Sequence, residues 1–507
     1  MDTTLRDGEQ MLGVSYISDQ KLAITQMLLE EVKIDRVEIT SAKSSDGEKE
    51  AATKILQWAR NFNYINNIEI LGFVDKESSV DWVISVGAKV INLLTKGSLL
   101  HCEQQLKKSP KEHQNDIYET INYGIKHNID FNIYLEDFSN GIVQSKDYLY
   151  NMIDFLSTLP IKRIMLPDTL GIFEPFSTFE LIKPIIDTYP NIHFDFHSHN
   201  DYGLGVANNL ASVKAGVKGL HLTVNGLGER AGNAALDEVV VGLKDFFDVK
   251  TNVDEKKLYK ISKLVETFSE QRISFNKPIS GRNVFVQTAG IHADGDKKGN
   301  LYTTKLTSER FAREREYALG KLSGKANLEL NLKKLGITLE PNKQKILLDK
   351  IVELSDKKKN ITEGDLPFLI NEIFEEEESS KDHFKIEKYT IITTFGLKPL
   401  ATIICSYDGK LFKESCSHGD GGYDAFMNAL KPVLEEINVD MPKLTDYIVT
   451  IPPGGETDAL VKTTIFWQVS NGKKTISTSG LNCDQIAAAI EATVKIINYK
   501  INLKNIS

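Results

Sequence analysis

From residue 1 to about 250, short runs rich in β-branched and aromatic residues alternate with longer amphipathic stretches. The runs read as strands are 35–40 (DRVEIT), 68–74 (IEILGFV), 89–94 (KVINLL), 131–135 (FNIYL), 163–166 (RIML), 193–197 (HFDFH) and 219–224 (GLHLTV). A first strand has to lie in 2–5, cut short by the start of the chain. Between the runs, Leu22, Ile24, Met27 and Leu28 recur at roughly helical spacing behind Ser18, which predicts a helix capped by Ser18. Helices are also predicted over 115–127, 146–156, 175–188 and 203–215. Eight strand slots alternating with eight helices over about 250 residues match the count and size of a closed (β/α)₈ barrel. An open doubly wound sheet alternates too, so the count favours the barrel without proving it.

The pattern changes after Val249. Residues 253–373 read as mostly helical, interrupted by a Gly-rich loop over 288–300 (TAGIHADGDKKGN). The acidic run Glu375–Glu378, followed by two serines, reads as a linker. Beyond Lys385, strands are predicted over 389–394, 401–407, 447–451 and 463–468, and helices over 422–437 and 483–497. The expected organisation is a catalytic barrel at 1–250, helical linker subdomains at 251–373, an acidic linker at 374–384 and a separate α+β regulatory module at 385–507. No repeat of solenoid length is visible.

The 61 Lys and Arg against 70 Asp and Glu give a net charge of −9, with no basic run, so nucleic acid is excluded as the main partner. No apolar run reaches the roughly 20 residues of a membrane span, and no leader-like stretch follows Met1. The four cysteines are scattered, without a Cys-x-x-Cys pair, which argues against a disulfide framework and fits a reducing cytoplasm.

Ligand-type residues gather at strand ends, where a barrel carries its catalytic loops. His197 and His199 are two apart on one strand and point the same way, so both can reach one metal ion. Two histidines at a strand end with no ligand role are the plainer reading. Asp7, after the first slot, can add a carboxylate, and Arg6 beside it offers a fork of donors for a carboxylate or a developing oxyanion. The loop 225–233 (NGLGERAGN) has glycines that admit a close ligand, and Asn233 can lend an oxygen to the metal. This set, with open water positions, suits a borderline ion such as Zn²⁺ or Mn²⁺ in a catalytic site. Tyr134 and Glu136 share one side of their strand. Glu136 suits a general base or the orienting of a water, whereas Asp137 alternates to the outer face. The Thr169 hydroxyl, after the sixth slot, can hold a substrate carboxylate.

Together LRDGEQ (5–10), HSHND (197–201) and NGLGERAGN (225–233) resemble the metal-dependent barrel enzymes that join acetyl-CoA to a 2-oxo acid: the family of 2-isopropylmalate, homocitrate and citramalate synthases. The stretches ILGFVD, NLLTKGSL, IYLEDFSNG, QTAGIHADGDKKGNLY, GDGGYDAFMNAL and IPPGGETDALV look like its citramalate synthase branch, and the likeness spans essentially the whole chain.

The resemblance implies a divalent metal (Mn²⁺, Zn²⁺ or Mg²⁺) on Asp7, His197, His199 and Asn233. Arg6 would polarise the 2-oxo group, Thr169 hold the substrate carboxylate, and Glu136 and His292 be the acid/base candidates. Gln10, Asp294, Asn300 and Tyr302 would meet acetyl-CoA or complete the site across a homodimer. Leu71, Leu94 and Tyr134 match bulky residues that leave room for pyruvate and not for a branched 2-oxo acid, although each is also an ordinary barrel-core residue. The end module resembles an effector domain with isoleucine as its expected ligand, lined by Tyr423, Asp424, Leu444, Tyr447, Ile451, Thr457, Asp458, Ala459 and Gln485. By themselves these read as core and turn residues. Cys483 stands at that rim where relatives carry proline. Relatives also carry about ten more residues before this Met1, so either the start lies upstream or the first strand is short.

Overall fold

The computed structural model describes residues 1–507 except 300, 336, 357–360, 362–365, 367–368, 371–372, 374–382, 413–414, 451–460, 470–473 and 507. Two compact units result. Met1–Phe285 with Thr304–Glu314 forms one, and Val286–Thr303 with Arg315–Ser507 the other. The stretch 251–373 therefore contributes to both.

The first unit is the expected barrel. Its parallel strands are β1 (Val37–Ser41), β2 (Ile68–Phe73), β3 (Val90–Lys96), β4 (Asp130–Glu136), β5 (Arg163–Asp168), β6 (Phe194–Ser198) and β7 (Gly219–His221), hydrogen-bonded in chain order. The slot at 2–5 shrinks to one residue. Asp2 bridges Leu222 on one side and Val37 on the other, closing the ring. The cause is local: the Asp2 carboxylate accepts the Thr4 N–H and the Thr4 hydroxyl, each at 2.9 Å, and turns the chain out of the strand at once.

Helices Ser18–Gln26, Asp46–Asn61, Ser78–Val86, Pro110–Lys126, Lys146–Ser157, Pro175–Thr188, Gly205–Ala215 and Leu236–Phe247 follow the strand slots. Two boundaries differ from expectation. Ser18 is the first helical residue and caps nothing; Ile17 holds the cap position, and its N–H donates to the Gln20 side chain at 3.1 Å. The helix expected from 115 starts at Pro110, because Ser109 and Glu112 cap each other reciprocally with proline in the first turn. An additional helix, Phe138–Gln144, packs on the end of β3 so closely that a Cβ on Gly141 would sit 2.1 Å from the Gly97 carbonyl oxygen.

In the second unit the expected Gly-rich loop is in part a helix, Gly290–Lys297. Gly290 is there for close approach: a Cβ on it would lie 2.6 Å from the Gly324 nitrogen. It follows β8 (Val286–Gln287), which pairs with β9 (Glu316–Tyr317), and precedes helices Lys325–Leu335 and Pro341–Asp356. Then come two antiparallel sheets. One joins β10 (Phe384–Ile392), β11 (Leu400–Tyr407), β12 (Lys410–Leu411) and β13 (Ser415–His418); the other joins β14 (Lys443–Thr450), β15 (Val461–Val469) and β16 (Lys474–Asn482). Helices Gly422–Glu436 and Gln485–Ile506 complete it, the second starting where the Asp484 carboxylate accepts the Ile486 and Ala487 N–H groups. Among the described residues no helix is long and apolar enough to cross a membrane.

Two stability predictions follow from this packing. Gly141→Ala forces a carbon into the Gly97 carbonyl and should destabilise the barrel by about 1–3 kcal/mol, read as a lower thermal midpoint. Burial pulls the pKa of His113 and of His221 down to about 4 from 6.5. Between those pH values these two histidines bind more protons in the unfolded chain than in the folded one and outnumber the opposing Asp2, whose buried carboxyl is pushed up to about 6, so stability falls as pH is lowered through the window. Urea unfolding at pH 7 and pH 5 should give the higher midpoint at pH 7.

Candidate active site

The strand ends bring Asp7, His197 and His199 together, each buried and each offering a ligand atom within 4.8 Å of the others. The His197 Nε2 lies 3.3 Å from Asp7 Oδ2, and the His199 Nε2 4.0 Å from the same oxygen. Ligand atoms about 2.1 Å from a shared ion stand roughly 3–4 Å apart, so the spacing fits a first-row divalent ion. Asn233 joins the cluster through its amide nitrogen, which donates to Asp7 Oδ1 at 3.0 Å and to the Leu227 carbonyl at 3.1 Å. Its amide oxygen is buried with no hydrogen-bond partner, as are the Nδ1 atoms of both histidines.

The electrostatics favour the ligand forms. Burial works against ionisation of Asp7, but Arg6 and the two imidazoles outweigh it and hold the carboxyl well below the usual range. Burial keeps His197 and His199 neutral, with pKa values below that of a free imidazole. A metal site needs a charged carboxylate and neutral imidazoles.

Arg6 is the hub of the site. Its Nε donates to Glu38 at 2.5 Å, one terminal nitrogen to Asp7 at 3.0 Å and the other to the Tyr134 hydroxyl at 3.3 Å. Glu38 also accepts from Asn92 at 2.7 Å. Tyr134 contacts His221 Nδ1 at 2.9 Å, and His221 Nε2 contacts Asp195 at 3.0 Å. Arg36 bonds both Asp195, at 2.6 Å, and Glu69, at 3.1 Å. The barrel axis is thus filled by a chain of ion pairs and hydrogen bonds.

Beside this polar column, Leu71, Tyr134 and Met165 form a separate apolar cluster with Met1 and Leu94 against it. Glu136, at the end of β4, is ion-paired with Lys96 in register on β3. The Thr169 hydroxyl accepts the Asp137 N–H at 3.0 Å. Asp137 is buried with a left-handed φ of 62° and accepts from Asn140, so it starts a helix and does not face outward. Gln10 is exposed in the short turn after Asp7.

The other expected residues lie in the second unit. His292 Nδ1 is 3.2 Å from Gln287, and its ring lies 4.2 Å from that of Tyr302. Asp294 pairs with Lys298. Asn300, Ile451, Thr457, Asp458 and Ala459 fall outside the described residues. Tyr423 bonds Thr493 at 2.6 Å and packs on Tyr447, ring centroids 5.5 Å apart. Asp424 accepts the Asp420 N–H, Leu444 is part-exposed on β14, and the Gln485 carbonyl accepts from Thr463.

The residues 1–265 match the family described as HMGL-like, 279–359 the homocitrate synthase post-HMGL domain-like family and 360–501 the LeuA allosteric (dimerisation) domain. The chain belongs to the HMGL-like family. The (R)-citramalate synthase of Methanocaldococcus jannaschii is 30% identical over 99% of this chain and 99% of its own length. The 2-isopropylmalate synthase of the same organism is 33% identical over 98% of this chain and 93% of its own. Membership at this coverage makes the chain an enzyme, an acyltransferase of the citramalate and isopropylmalate synthase group. Among solved structures, the hydroxymethylglutaryl-CoA lyase of Pseudomonas aeruginosa has a TM-score of 0.47 at 19% identity, covering 56% of this chain and 95% of its own.

Sequence reasoning missed Glu38, Asn92, Lys96, Met165, Asp195 and His221. The signal for Glu38 was an acid between Val37 and Ile39, whose apolar side chains pack outward. The ligand set predicts that Asp7→Asn weakens Mn²⁺ binding, measured by calorimetry, by more than the 10–100-fold typical of losing an outer-shell partner.

Proposed function

We propose that the enzyme condenses acetyl-CoA with pyruvate and hydrolyses the thioester, releasing (R)-citramalate and CoA. The observation that carries the condensation is the convergence of Asp7, His197 and His199 beside an Arg6 that keeps two donors unspent. A guanidinium has five N–H donors, and three are used by Glu38, Asp7 and Tyr134. A divalent ion on Asp7, His197 and His199, with Asn233 as a fourth candidate, would supply Lewis acidity at the 2-oxo group.

The chain's own residues do the rest. A base removes a methyl proton from acetyl-CoA, and the carbanion attacks the ketone carbon, forming the new C–C bond. Arg6 stabilises the charge gathering on the ketone oxygen. Glu136 and His292 are the acid/base candidates, with His292, Asp294, Asn300 and Tyr302 contributed across a homodimer and Gln10 near the coenzyme. Thr169, whose N–H acceptor role leaves its own proton free, holds the acceptor's carboxylate. Water then cleaves the thioester and releases CoA.

Leu71, Tyr134 and Met165 cluster with Leu94 against them, and as the wall of the acceptor side they would suit pyruvate, whose methyl needs little room. Relatives of both names are about equally similar, so the wall carries the choice. We assign the end module to feedback by isoleucine, held near Tyr423, Asp424, Leu444, Tyr447 and Gln485, in a cytoplasmic enzyme of branched-chain amino-acid synthesis.

CoA release, measured with Mn²⁺ and each acceptor separately, should favour pyruvate over 2-oxoisovalerate. Leu71→Ala removes three carbons and should raise the relative kcat/KM for 2-oxoisovalerate by at least about 10-fold, the low end of the range for a single methylene. A native preference for 2-oxoisovalerate would overturn the pyruvate reading and leave an isopropylmalate synthase.

A further inference from the structure

Behind the reacting centre, Asp195 and His221 are completely buried and touch no space a substrate can reach. They line up with two residues that do reach the site. Arg36 donates to Asp195 Oδ2 at 2.6 Å, that oxygen lies 3.0 Å from His221 Nε2, His221 Nδ1 lies 2.9 Å from the Tyr134 hydroxyl, and Arg6 donates to that hydroxyl at 3.3 Å.

We infer that Asp195 and His221 are positioning residues, which fix the direction of the Tyr134 hydroxyl and through it the plane of the Arg6 guanidinium. The inference rests on the proposed reaction for its catalytic consequence and on geometry for its mechanism. A carboxylate paired with Arg36 can only accept, so the His221 proton sits on Nε2. Nδ1 of the neutral ring then carries a lone pair and accepts the Tyr134 O–H. The Tyr134 oxygen is left with lone pairs only, and it presents one to Arg6. Each group has a single orientation open to it.

The consequence is that Arg6 has an acceptor at each of its three nitrogens, Glu38 at Nε and Asp7 and Tyr134 at the two termini. Glu38 and Asp7 hold two of the nitrogens, which leaves rotation of the guanidinium about the line joining their two oxygens. The tyrosine oxygen is the third point that fixes the plane, so that the two unspent N–H donors face one direction. Without His221, the Tyr134 hydroxyl can rotate and offer its proton to Arg6, which repels the cation.

The test combines kinetics with spectroscopy. His221→Leu should lower kcat for CoA release at saturating pyruvate by about 10- to 100-fold, the cost of a small misplacement of a catalytic group. His221→Asn, whose Oδ1 takes the place of Nδ1, should recover part of that loss. The double variant His221→Leu with Tyr134→Phe should be no slower than the slower single variant, because both break one chain. Calorimetric Mn²⁺ binding by each variant shows that the barrel is folded. In the native metal-free protein at pH 7, ¹⁵N–¹H correlation of the imidazoles should show His221 as the neutral Nε2–H form. Losses that multiply in the double variant, or a His221 proton on Nδ1, would overturn the inference. A native enzyme that turns over neither acceptor would sink the reaction assigned above, while the tautomer would still decide the relay.

Discussion

A guanidinium buried at the mouth of the barrel is the constraint on which the rest depends. Burial alone would push Arg6 toward losing its charge, but Glu38 and Asp7 more than compensate and hold the proton more tightly than in water. Removing Arg6 itself would leave the buried Glu38 and Asp7 carboxylates without their cation, and breaking a buried pair costs about 3–5 kcal/mol. The barrel axis is therefore a polar column where many barrels stack aliphatic layers. Arg6 pairs with Asp7 and Glu38, Arg36 with Glu69 and Asp195, and Arg163 with Glu69, and Tyr134 and His221 join the two sets by hydrogen bonds. At the open end Asp7, paired with Arg6, meets two neutral imidazoles. Asp7 and the two neutral imidazoles are the set that could hold a divalent ion there.

The same column explains what could be read from the chain and what could not. Strand and helix alternation was legible because the strands are covered by helices outside, which imposes runs such as Ile68–Phe73. His197 and His199 were legible because two residues two apart on a strand end need no tertiary information to share a face. Glu38, Asp195 and His221 were not. An acid flanked by Val37 and Ile39 also describes a strand with one wet face, and only the closure of the barrel through Asp2 decides that the polar face is the inner one. Strand β16 was missed for a related reason: its buried face carries Thr478 and Gly480 beside Ile476, and the Thr478 hydroxyl is occupied by the Trp467 indole N–H at 2.8 Å. A small polar side chain with a private partner is core, but it does not look apolar.

Acceptor choice and catalysis meet at one residue. Tyr134 packs with Leu71 and Met165 on one side and bonds Arg6 and His221 on the other. In the reaction proposed above, its ring would help set the size of the acceptor pocket, and its oxygen the plane of the Arg6 guanidinium. These demands bind the two functions together. Replacing Tyr134 to admit a longer side chain would also free Arg6, so a pocket enlarged there loses rate as it gains room. Leu71, Leu94 and Met165 carry no polar duty. In the proposed pocket they are the positions that can change without disturbing the polar column.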